Sequence, residues 1–276
     1  MGSGIKINSN PGAMTAVRNL RSNGDGLHRA VERLSSGLRL NSTADDAAAM
    51  SMSENMRAQQ RGFQQALRNA RDGVAVVQTA EAGYQSISDT LIRMRELAVE
   101  AANGAISDTE RGFLNSEFAD LITEIDRISS VTEHNNVKLL DGSTASLTFQ
   151  IGARNSNNGR FAVALDAQSA SDLGVDDDAV HTMSDAQVAI DAVDDALASL
   201  NSDRASMGAN VGSMTVAIND LATTITSYGQ ALGTLRDADI GQESGEFARQ
   251  HVLLAAGVAI LAQANANTGM ALRLLR

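Results

Sequence analysis

The sequence predicts a mainly α protein: an elongated antiparallel coiled coil or helical bundle, with paired N- and C-terminal helices and a small β-hairpin tip. Three observations carry that prediction. Apolar residues recur over long stretches at alternating steps of three and four, the pattern of a helix that meets a partner along a narrow seam. There is one Pro in 276 residues, so little interrupts such helices. The chain is 43% hydrophobic but only 3% aromatic. Its apolar mass is therefore aliphatic, which suits seams better than the shaped pockets of a compact enzyme.

Near the start of the chain, Leu20, Leu27, Val31, Leu34 and Leu38 fall on one helical face. Gly24 and Gly26 weaken that helix by roughly 1 kcal/mol each, so it needs packing to persist. The next long helix carries Phe63, Leu67, Ala70, Val74 and Val77 in the same alternation. After one short step it resumes at Ala80, Tyr84, Ile87, Leu91, Met94 and Ala98. The short step is a stammer, which locally overwinds a coiled coil. Asn103-Gly104 predicts a helix end in the left-handed conformation. Ser107 with Glu110 three residues later forms a capping box for a following helix, whose seam is Leu114, Phe118, Leu121, Ile125 and Ile128.

Between about 131 and 184 the period drops to two. Leu147, Phe149 and Ile151, and then Phe161, Val163 and Leu165, alternate with polar residues around a Gly/Asn/Ser-rich stretch. This reads as a β-hairpin. The clearest seam follows: Val193, Leu197, Leu200, Arg204, Met207, Val211, Met214, Ile218, Leu221, Ile225, Tyr228, Leu232 and Leu235. At about 1.5 Å per residue this helix is ~75 Å long and must lie along a partner of similar length. Ile240, Phe247, Leu254 and Leu261 then recur every seven residues near the C-terminus, with Val258 beside them. Each chain end is amphipathic and short of partners. The ends therefore pair with each other and with copies from other molecules.

Chemistry-bearing patterns are sparse. The net charge of −11 argues against a nucleic-acid partner. No Cys occurs, and the four histidines, His28, His134, His181 and His251, show no metal-ligand spacing. No phosphate-binding loop or nucleophile elbow is present. Carboxylate pairs such as Asp45-Asp46 and Asp194-Asp195 read as caps or solvated faces, and Asp176-Asp177-Asp178 lacks the spacing of a calcium loop. The expectation is no catalytic residue, no metal and no cofactor. No run reaches the roughly 18 unbroken apolar residues of a membrane span, and the longest, 252–262, is too short. A cleavable signal peptide is not expected, nor is a lipid anchor, because Lys6 follows Met1-Gly2 where Ser or Thr is required. These features alone describe an assembly subunit, a coiled-coil adhesin or an export-apparatus component.

Longer motifs narrow the choice. Ile7-Asn8-Ser9-Asn10 opens the chain, and Arg33-Leu34-Ser35-Ser36-Gly37-Leu38-Arg39-Leu40-Asn41-Ser42 follows, then Asp45-Asp46-Ala47-Ala48. Arg68-Asn69-Ala70-Arg71-Asp72-Gly73, Arg93-Met94-Arg95-Glu96-Leu97-Ala98-Val99, Glu124-Ile125-Asp126-Arg127 and Val137-Lys138-Leu139-Leu140-Asp141-Gly142 continue the series. Ala259-Ile260-Leu261-Ala262-Gln263-Ala264-Asn265 and Leu272-Arg273-Leu274-Leu275 close it. In this order the blocks resemble bacterial flagellin over about 7–142 and 185–276, in a short form without large variable outer domains. The sequence departs from the family at Pro11-Gly12, where a later helix start is expected. It also departs at Ala44, at His134 and Asn136, and at Thr268-Gly269.

The resemblance implies a structural subunit of the bacterial flagellar filament, polymerising through its paired ends into a helical tube used for motility. Residues 1–45 with 237–276 would form the filament core, disordered in the free monomer. Residues 46–236 would form a helical bundle with its β-rich tip at about 131–184. The core seam would be Leu20, Leu27, Val31, Leu34, Leu38, Phe247, Leu254, Val258 and Leu261. The bundle seam would be Leu91, Met94, Leu121, Ile125, Met207, Val211, Met214, Ile218 and Leu221. Expected partners are copies of itself, an export chaperone at the C-terminal helix, and the filament cap and hook-associated proteins. A host Toll-like receptor is a further candidate, through Arg93, Leu97 and Glu117. No nucleic acid or membrane insertion is expected. Location would be extracellular, after export by the flagellar type III pathway without cleavage. A hook–filament junction protein of the same superfamily and a secreted coiled-coil adhesin are the alternatives.

Overall fold

A computed structural model describes residues 9–274, with side chains described as far as 267. The Met1-Gly2, Lys6, Ile7-Asn8 and Leu275 positions discussed above lie outside the described residues, as do the side chains of 268–274. The chain divides into two compact units, 59–226 and a terminal unit of 1–58 with 227–276.

The terminal unit is built on α1 (Pro11–Ser36) and α6 (Ile240–Leu274). They run antiparallel. Asn10 Nδ2 donates to the Ala264 carbonyl at 3.0 Å at one end, and Arg33 Nη1 donates to Glu243 Oε1 at 3.0 Å near the other. The expected late start of the first helix is not observed. Asn10 caps the helix by accepting from Ala13 N at 3.0 Å, and Pro11 takes the first helical position, where a missing N–H costs nothing. Gly37 ends α1 with φ 70°, its N–H returned to the Arg33 carbonyl.

Beyond Gly37 a short antiparallel bridge pairs Leu38 with Asp237, with Arg39 N donating to the Arg236 carbonyl and Ala238 N to the Gly37 carbonyl. Both chain connections of this unit are thereby tied together. The carboxylate pair that follows caps the chain, one of the two roles expected of it. Asp45 Oδ2 accepts from the N–H groups of Asn41 and Ser42, and Asp46 Oδ1 accepts from Ala49 N in the first turn of the next helix. The Ser42 N–H is the main reason the Asp45 carboxyl is held below its ordinary range.

The second unit holds most of α2 (Ala47–Ala101), α3 (Asp108–Val131) and most of α5 (Met183–Arg236). α2 and α5 run antiparallel along it. Arg95 pairs with Asp194 at 2.6 Å, Arg204 with Glu81 at 2.9 Å, and Gln60 Nε2 reaches the Ile225 carbonyl at 3.4 Å. Tyr84, Ile87, Leu91 and Met94 from α2, Phe118 and Ile125 from α3, and Val193, Leu200 and Met214 from α5 are fully buried in one continuous core.

The turn from α2 to α3 differs from expectation. The helix does end just before Asn103-Gly104, but neither residue has positive φ. Arg111 terminates it instead. Its buried guanidinium donates to the Ala101 and Asn103 carbonyls at 2.8 and 3.0 Å and to Asp108. A side chain thus satisfies the orphan carbonyls that a left-handed residue would otherwise serve. The capping box of Ser107 and Glu110 opens α3 as expected.

Two small hairpins follow. β1 (Glu133–His134) pairs with β2 (Val137–Lys138) across Asn135 and Asn136, both at positive φ, 50° and 65°. Two left-handed residues in a two-residue loop match the right-handed twist of the strands. β3 (Ser146–Gln150) pairs with β4 (Arg160–Ala164), with Leu147 opposite Val163 and Phe149 opposite Phe161. That is the hairpin read from the period-two pattern. A four-residue helix, α4 (Ala170–Leu173), leads back towards α5.

The hairpin region packs where α2 has its short step. There the buried positions spread to Val76, Val77, Ala80, Gly83 and Tyr84, so the helix covers two neighbours. Gly83 is required by space. A Cβ there would lie 2.6 Å from Leu140 Cδ1 and 2.9 Å from Thr132 Oγ1. Gly83→Val is expected to cost ~1–3 kcal/mol through overpacking, read as a lower urea midpoint of the 59–226 unit by circular dichroism. An unchanged midpoint would show that Thr132 and Leu140 can give way.

Candidate assembly surfaces

The α1–α6 pair is closed by small residues and half-closed by large ones. On α1 the row Ala13, Ala16, Leu20, Asn23, Leu27, Ala30 and Leu34 keeps the three–four alternation and faces inward. Ala16 and Ala30 are buried, and Leu20, Leu27 and Leu34 are half-buried. On α6, Leu254, Gly257, Leu261 and Ala264 are half-buried. Gly257 lets the helices approach, since a Cβ there would sit 3.3 Å from Leu20 Cγ. At the other end Glu243 is 8% exposed and is held by Arg33, beside a polar cleft of about 260 Å³. That is below the range of about 300–1,000 Å³ for ligand pockets.

The sequence-predicted core seam therefore divides. Leu20, Leu27, Leu34, Leu254 and Leu261 lie half-buried in the helix pair, and Leu38 is half-buried in the bridge beyond it. Val31, Phe247 and Val258 point outward at 47%, 36% and 54% exposure. They join Met14, Ile240, Val252, Leu253 and Ile260, all exposed. The reading of large apolar residues alone passed over Ala16, Asn23 and Ala30. Their seven-residue spacing, offset by three or four from the leucines, was the available signal.

An 18-residue window within 240–267 reaches a mean hydropathy of 1.3, and none of that window is buried. By length and composition this stretch could cross a membrane, which differs from the expectation drawn from unbroken apolar runs. The difference arises because a mean over 18 residues absorbs the polar residues flanking the 252–262 run, Arg249, Gln250, His251 and Gln263. The property is that of a helix whose apolar surface exceeds what one partner can cover.

In the 59–226 unit, Leu91, Met94, Ile125 and Met214 are fully buried, with Met207 and Leu221 nearly so. Leu121, Val211 and Ile218 are half-buried against the same clusters. Arg204, the polar member of the α5 row, is held by Glu81 and Gln85. A single polar pair within an apolar seam favours one register over its neighbours. Exposed apolar side chains remain on this unit too, including Phe113 and Val216 at 72% and 66%.

Of the three residues matched to a receptor surface, Arg93 and Glu117 form an exposed ion pair at 2.7 Å between α2 and α3. Leu97 is 1% exposed and packs in the core. It cannot touch a partner directly, because its place on the α2 stripe turns it inward. Among the described residues no group of three or more His, Asp or Glu could hold a metal ion. Asp178 is half-buried, and burial, with Asp176 and Asp177 beside it, pushes its carboxyl up.

Long buried seams, a terminal helix pair with an open apolar flank and small surface hairpins define a helical structural subunit. The comparisons name it more closely. The bacterial flagellin N-terminal helical region matches residues 7–145, and the bacterial flagellin C-terminal helical region matches 190–275. A flagellin of Halalkalibacterium halodurans is 39% identical over 279 residues, covering 98% of this chain and 99% of its own length. A flagellin of Bacillus subtilis is 35% identical over 306 residues, covering 99% of this chain and 100% of its own. The crystal structure of Bacillus cereus flagellin superimposes with a TM-score of 0.50 at 28% identity, over 56% of this chain and 88% of that one. The chain belongs to the bacterial flagellin family. It is a structural subunit of the flagellar filament, and so a component of an extracellular assembly.

Ala30→Asp places a carboxylate at a position 1% exposed between α1 and α6. It is expected to weaken their pairing by ~2–5 kcal/mol, read as faster proteolysis of the terminal segments while 59–226 stays resistant. Unchanged cleavage would remove Ala30 from the interface.

Proposed function

We propose that the α1–α6 pair is the polymerising element and that its uncovered flank is the surface buried between subunits. The observation that carries this reading is the apolar surface that α6 leaves uncovered, with Val252, Val258 and Ile260 at 54–65% exposure on different sides of the helix. Burying one aliphatic side chain of this size is worth roughly 1.5–3 kcal/mol. A repeated contact of several such side chains offsets the cost of ordering a subunit.

In this reading residues 1–45 with 237–276 line the filament core, and assembly completes the ordering that the α1–α6 pairing begins. Residues 46–236 form the shell around them. The protein does no catalysis of its own. Export runs through the flagellar type III pathway without cleavage, with a chaperone covering α6 until the subunit reaches the growing end. The filament cap and hook-associated proteins meet the same terminal helices at the filament's two ends. The physical support is common to all of these: apolar side chains exposed around α6, which burial against successive partners would stabilise.

Val258→Asp tests the polymerising face. Val258 is more than half exposed, so helix content and the unfolding of 59–226 should match the unsubstituted protein. Assembly should fail, because an unpaired buried charge costs several kcal/mol, about 3 or more. Electron microscopy after seeding reads the result. Filaments at the usual subunit concentration would overturn the assignment.

A host Toll-like receptor is a second partner in this proposal, reading the exposed Arg93 and Glu117 on α2 and α3, with Leu97 supporting α2 from beneath. Arg93→Glu should weaken binding of the monomer to the receptor ectodomain by about tenfold or more, as for a central Arg in an interface. Equal affinity for both proteins would remove this surface from the reading.

A further inference from the structure

Asn-Gly occurs three times in the chain, at 23–24, 103–104 and 158–159. The three pairs are chemically alike in an unfolded chain and stand in different surroundings here. Asn23-Gly24 lies inside α1, where the helix ladder takes up the Gly24 N–H whenever that helix is formed. Gly159 is buried, and its N–H donates to the Ser156 carbonyl at 3.0 Å. Asn103-Gly104 lies in the turn between α2 and α3, with both residues exposed. Its Gly104 N–H is bonded to no protein acceptor among the described residues.

The Asn103 side chain is also folded back onto its own main chain, because Oδ1 accepts from Ala105 N at 3.0 Å. This Asx turn carries the amide carbon over the following peptide and aims a donor at the oxygen that would gain charge if that carbon were attacked. Gly104 carries no Cβ to obstruct an approach by its own nitrogen. A neighbouring nucleophile and carbonyl held in this way gain much of the advantage of an intramolecular reaction.

We infer that Asn103 is a self-modification site, converted through a cyclic imide to aspartate and isoaspartate while the rest of the fold is intact. Gly104 N gives up its proton and bonds to Asn103 Cγ, with the transient oxyanion on Oδ1 facing Ala105 N–H. The Cγ–Nδ2 bond then breaks, and the amide leaves as ammonia with that proton. Water next opens the ring at one of its two carbonyls. Opening at Cγ gives aspartate. Opening at the main-chain carbon gives isoaspartate, with the free carboxylate on the former main-chain carbonyl.

That carbonyl already accepts from Arg111 Nη2 at 3.0 Å and from Ile106 N at 3.2 Å. Two donors polarise it towards water and stabilise the carboxylate it becomes. Isoaspartate is therefore the main product. Each event adds one negative charge beside Arg111, and the isoaspartyl form lengthens the main chain at the turn that Arg111 holds closed.

The test uses the full chain, folded and urea-unfolded, incubated in mildly alkaline buffer and mapped by peptide mass spectrometry with isoaspartate labelling. In the folded chain Asn103 should react at least about tenfold faster than Asn158, and the two should converge in urea. Gly104→Ala meets open space, with nothing within 4 Å of the added Cβ and no positive φ to oppose it. It should keep the helix content and slow the reaction at Asn103 by about tenfold or more. Equal rates at Asn103 and Asn158 in the folded chain would overturn the inference. So would an intact Asn103 over a time in which the unfolded chain reacts, or an unchanged rate in Gly104→Ala.

Discussion

A long helix with an apolar stripe cannot stand alone in water. Its backbone is self-satisfied, but each residue of the stripe loses roughly 1.5–3 kcal/mol of potential burial until another surface covers it. Everything in this chain follows from how that demand is met. In the 59–226 unit it is met internally, where α2 and α5 lie antiparallel and α3 covers the remaining flank. In the terminal unit α1 and α6 cover one face of each other. A pair has one inner face, so the apolar residues on the outer faces stay in contact with water.

This asymmetry connects fold to function. A flagellin must be a stable object before assembly and an adhesive one during it. The core of Tyr84, Phe118, Ile125 and Met214 supplies stability without any help from neighbours. The α1–α6 pair leaves Val252, Val258 and Ile260 open, and small residues at Ala16, Ala30 and Gly257 let the two helices lie close without filling their outer flanks. Polar details then set positions. The Arg204–Glu81 pair marks register along the seam, Arg33–Glu243 does the same for the terminal pair, and the Leu38–Asp237 bridge ties the two connections of that unit.

Much of this was legible in the residue order. The three–four alternation located α2, α3 and α5, apolar residues recurring on one face located α1 and α6, the Ser107/Glu110 box located the start of α3, and the period-two run located the β3–β4 hairpin. Motif blocks at both ends pointed to the family that the comparisons establish. What escaped has a common cause. Small and polar residues carry little signal in an apolar pattern, so the Ala16–Asn23–Ala30 row and the Asn135-Asn136 hairpin were passed over. Pro11 looked like an obstacle to a helix, yet the first position of a helix has no use for the N–H that Pro lacks.

By itself the sequence determined the helical class, the seams and the family, because periodicity and long motifs are written in consecutive residues and need no partner to be read. Tertiary structure decided which face of each stripe is covered and which is left open. Leu97 was expected at a receptor contact and Val258 in the core seam, but Leu97 is enclosed in the core while Val258 is more than half exposed. It also decided that Arg111, and not a left-handed glycine, closes the turn after α2. Burial depends on what arrives from elsewhere in the chain, and a local pattern holds no record of that arrival.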